Sequence, residues 1–495
     1  MRRFSLVRFK MVPDTRQGRI LIKAGGIFTG LACAMHLLLG SDPIAVCLAG
    51  LAVLISIFPI AFYGFLNIGA VLIALVGFRY VGFPLFAKLS MGQPLDTYLL
   101  DPVGSFGVVL MGGLGYLSAF LAGSGFSVGR PFLKPSASYL ILGRISFLAA
   151  VVGISANLVV AFRVNEQYSG ITVANFFVSF LHLALISGIA RAIQKTKGRR
   201  SVDAWVLVLL IAEIEFAMVL NSRMALMEIF LCWVATIVSF KAKIQWRHLS
   251  VTVFTIVAMV IFITPVFLYV RVLRDELSWT QRTNATFDTI TNWPVAFDYY
   301  MSWRELSARV GWYRSYYGSV QNVFERMSHV NTVDMLKSGA DSTSQLGIKD
   351  LQLALKRAMP RILAPKKSVG HSQGSLLYSS IGFLKSGPYP TAPLIGTGYV
   401  AFGWVGAFCY PFLLGLAWIV IVKKMSGWNL QGNIWAVYLL LRVHNQFVEG
   451  SSDSYVMHIM RILPQDFVLL LIVETIARGR FLHPAHRKPY QAYGR

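Results

Sequence analysis

Long apolar runs alternate with short polar connections along most of this chain. A hydrocarbon layer about 30 Å thick is crossed by roughly 20 helical residues, so runs near that length bounded by charge or turn residues predict membrane-spanning helices. Such runs cover 20–40, 43–63, 66–86, 104–124, 138–162, 171–191, 203–221, 224–241, 249–270, 395–422, 432–448 and 460–477. The expected fold is all-α: a polytopic membrane protein with about twelve transmembrane helices, in which every backbone polar group is satisfied inside its own helix. Two runs carry charge in their interior, Arg79 in 66–86 and Arg442 with His444 in 432–448.

Basic residues near span ends resist translocation, so their distribution orients the chain. One set of connections holds the N-terminal block, Arg130 and Lys134, the run from Arg191 to Arg200, Lys241, Lys243, Arg247, Lys423, Lys424 and the tail from Arg478. The opposite short connections hold little beyond Lys88, Arg163 and Arg223. Both termini are therefore expected in the cytoplasm. Residues 1–19 form a basic N-terminus, 20–270 carry the first nine spans, 271–394 form one large extracytoplasmic loop, 395–477 carry the last three spans, and 478–495 form a basic tail. The first nineteen residues contain no clean apolar core, so the first span reads as an uncleaved anchor. A loop of that length usually carries function. Within it, 322–336 and 348–359 are expected as short amphipathic helices, the second ended by Pro360.

Composition agrees with a lipid-solvated chain. Hydrophobic residues make up 55% and mean hydropathy is +0.59, more apolar surface than one aqueous core buries. The net charge of +24 sits in short blocks between apolar runs, not on the basic face of a polar domain, which argues against a nucleic-acid partner. Cys33, Cys47, Cys232 and Cys409 all fall in apolar runs without metal-ligand spacing and are expected to fill the core. No acidic cluster suits Mg²⁺ or Ca²⁺, so neither a metal nor another cofactor is expected.

The outer loop holds fifteen basic residues against nine acidic ones. Guanidinium groups bind phosphate oxygens through paired hydrogen bonds, so an Arg-rich cavity beside a membrane suits a lipid-linked diphosphate. A solvated surface touching anionic headgroups accounts for the same charge. In ERMSHVN, Arg326 and His329 are three apart on an expected helix and share a face, and PRILAPKK adds Arg361, Lys366 and Lys367. Arg442 and His444, inside an expected span, either face the bundle interior or a water-filled cavity, or pair with a carboxylate such as Glu449. Glu449 and Asp453 at an expected outer turn are candidates for a general base. The aromatic stretch from Trp279 to Tyr317 suits sugar stacking or packing at the membrane interface.

These elements, in this order, resemble the oligosaccharide repeat-unit polymerases, the Wzy-like O-antigen polymerase family. The resemblance rests on the apolar-R-x-S-H element at Phe324–His329, PRxLxPxK at Pro360–Lys367 and GYxxFGWxG at Gly398–Gly406. NSRMALM at Asn221–Met227 is similar to the family's Arg-containing outer turn, and EGSSDSY at Glu449–Tyr455 to its acidic outer turn. The chain departs from the family at Ala364 and Ser368, and no carboxylate or Asn precedes Phe402 and Gly403, so no family base is carried over to that stretch.

The resemblance implies a multi-span, GT-C-like, metal-independent glycosyltransferase in a bacterial inner membrane. It would transfer a glycan from undecaprenyl diphosphate to a second lipid-linked repeat unit on the periplasmic face during surface polysaccharide synthesis. Flippase and chain-length regulator proteins are its implied neighbours. In that reading Arg223, Arg326 and Arg361 hold the lipid diphosphates, Lys366 and Lys367 assist, and His329 contacts the leaving phosphate or the acceptor hydroxyl. Two alternatives remain open at this point. An O-antigen-ligase-like enzyme shares the donor and the large loop but uses another acceptor. A polysaccharide transporter or flippase commonly has twelve spans, although the halves of this chain show no evident repeat.

Overall fold

The computed structural model describes residues 16–135, 137–162, 171–219, 223–243, 250, 254, 262–270, 279–309, 316–317, 327–343, 345–359, 377–378, 380–382 and 392–479. Helices account for its regular structure. Eight of them, among the described residues, are long and apolar enough to cross a membrane: Gly18–Leu38, Pro43–Tyr63, Ile68–Ser90, Pro102–Gly125, Tyr139–Val160, Phe176–Lys195, Leu394–Ser426 and Ser452–Ala477. The protein is therefore membrane-embedded. Three further expected spans are helical but shorter, at Ala204–Val219, Arg223–Ser239 and Ile434–Glu449, and the expected span 249–270 lies largely outside the described residues.

Local chemistry explains where these helices start. Asp42 accepts the Ile44 and Ala45 N–H groups at 2.8 and 2.9 Å ahead of Pro43, whose missing N–H is no loss at the first helical position. Asn67 caps Ile68–Ser90 through the Ala70 N–H, and Asp101, followed by Pro102, caps Pro102–Gly125 through the Gly104 N–H. Large apolar side chains face outward along the spans, as at Ile27 (65% exposed), Leu31 (60%) and Leu38 (88%). Such continuous apolar exposure is tolerable only against hydrocarbon.

The chain divides into two compact units. The first comprises residues Met1–Pro131, Asn292–Leu430 and Leu439–Leu463. It contains α1 (Arg16–Leu38), α2 (Pro43–Tyr63), α3 (Ile68–Ser90) and α4 (Pro102–Gly125), followed by the loop helices α5 (Trp293–Arg309), α6 (Val330–Ser342) and α7 (Ile348–Ala358). It also holds α8 (Leu394–Ser426). The second unit comprises Phe132–Thr291, Gln431–Tyr438 and Pro464–Arg495. In it Ser146 donates to the Ala184 carbonyl at 2.8 Å and accepts the Trp205 indole N–H at 2.8 Å, which ties together the helices Tyr139–Phe162, Phe180–Lys195 and Ala204–Val219.

The expected loop helix 348–359 is found as α7. Of the expected helix 322–336, residues 322–326 lie outside the described residues; Met327 is helical, Ser328 and His329 are not, and α6 begins at Val330 with His329 as its N-cap residue.

Helix α8 is two helices folded against each other. Phe402 (φ −141°, ψ 25°) and Gly403 (φ 59°, ψ −141°) break it. A straight helix would hold residues 398 and 406 about 12 Å apart, yet a Cβ on either glycine would overlap the other's carbonyl oxygen. The GYxxFGWxG element is thus a reversal: 394–401 turns back on 404–426. The carbonyls that end the first half are met by the loop between α6 and α7. The Leu346 N–H donates to Val400 at 3.0 Å and the Gly347 N–H to Ala401 at 2.8 Å.

Gly406→Ala is expected to cost about 1–3 kcal/mol through forced separation of the two halves. A lowered thermal midpoint in detergent, with no such drop for Ala407→Ser in the same helix, is the check.

Candidate functional site

The first unit gathers ionisable side chains from three distant stretches of sequence. Arg79 lies halfway along α3, in a five-residue π-helical turn, Phe78–Gly82. Such turns widen a helix and recur at functional sites. Its Nη2 donates to Glu449 Oε1 at 2.5 Å. Glu449 is the last residue of α9 (Ile434–Glu449), whose end is also held by the Tyr80 hydroxyl donating to the Val448 carbonyl at 3.0 Å. The loop residue His329 arrives from the other side. Its backbone N–H donates to the Arg79 carbonyl at 3.1 Å, and its Nε2 stands 3.7 Å from Glu449 Oε1. Loop residues therefore reach the middle of a membrane helix.

His329 is buried and its ring lies 5.3 Å from that of Tyr80. Burial, and then the nearby Arg79 charge, hold its pKa well below the usual histidine value, so the ring is neutral at physiological pH. Its Nε2 has no hydrogen-bond partner among the described residues. His444, five residues before Glu449 on α9, lies within electrostatic reach of both Arg79 and Glu449. Its Nδ1 is 2.7 Å from the Leu441 carbonyl, and its Nε2 has no hydrogen-bond partner among the described residues. A carboxylate, a guanidinium and two imidazoles with available nitrogens thus share one locality, a set able to move a proton and to bind an oxyanion.

A second group of contacts holds the loop helix α6 in place. The Asp334 carboxylate accepts the Leu100 N–H at 2.7 Å, the Asp101 N–H at 2.9 Å and the Ser105 hydroxyl at 2.8 Å. It thereby anchors the Leu100–Asp101 backbone just ahead of α4, where the helix dipole favours negative charge. Lys337, one turn on, bridges Asp101 and Asp341 at 2.6 Å each, and the Tyr399 hydroxyl donates to Asp341 at 2.8 Å. Lys337, part of the loop's basic content, is therefore committed to internal pairs.

Of the other residues singled out in the sequence, Asp453 accepts from Arg357 Nη1 at 3.0 Å and from the Ser451 hydroxyl at 2.5 Å. Its neighbour Ser452 donates to Asp350 at 2.6 Å. Asp453 thus ties α7 to the helix Ser452–Ala477, and Glu449 is the carboxylate placed beside the imidazoles. Arg442 is half-buried and within electrostatic reach of His458. Arg223 is the first residue of the helix Arg223–Ser239 in the second unit. Arg326, Arg361, Lys366 and Lys367 lie outside the described residues. Arg79 is the residue that sequence reasoning passed over. The signal was present, since an arginine inside an apolar run demands a partner.

Comparison of the chain with protein-family models, with curated proteins and with solved structures finds no match.

The ion pairs on α6 carry a pH signature. Burial alone would raise the Asp101 pKa, but the Lys337 and Gly104 hydrogen bonds outweigh it and hold the carboxyl below its ordinary value. Burial alone would lower the Lys337 pKa, but its bonds to Asp101 and Asp341 outweigh it and raise the ammonium above its ordinary value. A depressed acid stabilises above its unfolded pKa and loses that contribution as pH falls through the folded one; a raised base loses its contribution only as pH rises through its folded value. Asp334 has the opposite sign to Asp101: burial, only partly offset by its three donors, raises its pKa, so its titration favours the folded state towards acid. Hydrogen-exchange protection of 330–342 should therefore hold at neutral pH and fall below pH 3.8. In Asp101→Asn that acid step should disappear, and an unchanged step in the variant would refute the assignment to Asp101.

Proposed function

We propose that this protein is a multi-span glycosyltransferase that polymerises lipid-linked oligosaccharide repeat units, with the Arg79–Glu449–His329 cluster at its reacting centre. The observation that carries the reading is a carboxylate held by an intramembrane arginine beside a neutral histidine delivered by the outer loop. An isolated charge at that depth is costly, so its placement argues for function. The family resemblance supplies the substrate class: a glycan on undecaprenyl diphosphate as donor and a second lipid-linked unit as acceptor.

In this proposal the chain has about twelve spans in a GT-C-like arrangement in a bacterial inner membrane, with both termini cytoplasmic and the loop periplasmic. Glu449 accepts the proton of the acceptor hydroxyl, whose oxygen forms a bond to the anomeric carbon as the bond from that carbon to the diphosphate oxygen breaks. The lipid diphosphate leaves with the electron pair, and preorganised arginines neutralise its growing charge. Arg79 orients Glu449, and the open Nε2 of His329 hydrogen-bonds the acceptor hydroxyl or the leaving phosphate. Arg361, Arg326, Lys366 and Lys367 are the proposed diphosphate ligands.

Mixing purified protein with defined lipid-linked repeat units and sizing the products tests the reading. Glu449→Gln is expected to lower chain extension at least about 100-fold, in the range typical of a lost general base. Arg361→Ala should abolish extension with abundance and membrane insertion intact. Transfer to a lipid core instead of chain growth would favour the ligase reading. Repeat units stranded on the inner leaflet when the protein is lost would favour a flippase.

A further inference from the structure

Within the first unit, α1, α2 and α3 enclose a cavity of about 280 Å³. Its lining is almost entirely apolar. Of its hydroxyl-bearing residues, Ser56 already donates to the Ala52 carbonyl at 2.7 Å, so the space offers water few partners. A water needs two to four polar partners to reside in a cavity, and an apolar one without them stays dry. Phe28, Phe65, Phe78 and Phe86 line it and remain 54, 55, 44 and 37% exposed, which makes an aromatic mouth opening from membrane-spanning helices. The volume is about twice the ~150 Å³ that accepts a benzene ring, room for roughly two isoprene units.

The cavity and the polar cluster share one turn of helix. Phe78 and Gly82, the ends of the π-helical turn in α3, line the cavity, while Arg79 between them reaches to Glu449. Arg79 does not line the cavity, but its guanidinium leaves the same turn toward Glu449, so an amphiphile with its hydrocarbon tail in the slot would bring an anionic head to that turn. Because the slot is closed on three sides by helices and small at Gly25 and Gly77, it suits a single chain more than a two-chain phospholipid.

We infer that the cavity between α1, α2 and α3 seats the first isoprene units of the polyisoprenyl diphosphate carrier, with its head directed to the Arg79 turn. The inference rests on the lipid-linked-glycan reading and adds to it the place where the carrier's chain lies.

The test uses the full chain in nanodiscs of phosphatidylethanolamine and phosphatidylglycerol, with two photoactivatable probes: a diazirine-bearing undecaprenyl diphosphate without sugar and a diazirine-bearing phosphatidylethanolamine. The isoprenoid probe is expected to label the peptides containing Phe28, Phe65 or Phe86 at least about fivefold more than the phospholipid probe. Filling the cavity with Ala74→Leu, or more completely with Thr29→Phe and Ala74→Phe together, should reduce that label about tenfold without lowering the thermal midpoint. Equal labelling by both probes, labelling elsewhere only, or full labelling of a filled variant that melts like the wild type would each overturn the inference. Should the larger replacement misfold, Ala74→Leu alone decides. The two readings fail separately: normal chain extension by a filled variant sinks the cavity and leaves the transferase, whereas selective labelling of a protein that extends no glycan does the reverse.

Discussion

The ion pair between Arg79 and Glu449 is the contact on which the arrangement of the first unit turns. It joins residues 370 positions apart and lies on a helix otherwise apolar enough to cross a membrane. A guanidinium in such a setting would be strongly destabilising without a carboxylate, and removing either partner would leave the other as an uncompensated charge. Pairing therefore constrains the end of α9 to lie against the middle of α3, and the Tyr80 hydroxyl on the Val448 carbonyl fastens the same two helices one residue away. A buried pair of this kind contributes less to net stability than to deciding which elements must meet.

The loop obeys the same electrostatics. Asp334 accepts the Leu100 and Asp101 N–H groups just ahead of α4, so the loop carboxylate fastens the approach to that helix, and Lys337 locks the next turn to Asp101 and Asp341. With α6 held in this way, His329 at its cap enters against the Arg79 carbonyl. The reversal at Phe402 and Gly403 supports the opposite flank, since the short half of α8 carries Tyr399, which bonds Asp341, and its terminal carbonyls are closed by Leu346 and Gly347. Polar loop backbone can lie among apolar helices where its groups find partners, as the His329, Leu346 and Gly347 N–H groups do.

A turn of π-helix gives α3 two faces of different chemistry within a few residues: Phe78 toward a dry cavity and Arg79 toward a carboxylate. The juxtaposition is that of an amphiphile's own head and tail. A lipid-linked substrate would be positioned by both at once, with the chain setting depth and the charge setting the reacting end.

The membrane character, the helical class and most helix limits were legible in the residues alone, because each depends on local information. Asp42 with Pro43, Asn67, and Asp101 with Pro102 mark helix starts through bonds to neighbours two or three residues on, and apolar run length is a direct measure of bilayer thickness. Glu449 and His329 were identifiable as candidate chemistry by residue type. Their partner was not, because nothing local to Arg79 says that it will meet a carboxylate 370 residues away. Tertiary contact likewise assigned Asp453 to Arg357 and Lys337 to internal pairs, moved the start of α6 to its cap, and turned GYxxFGWxG from a motif in a span into a reversal. Hydrophobic periodicity reports what each segment must hide from water. Which charges find each other, and where a helix folds back on itself, depends on distances between segments, and those exist only once the chain is packed.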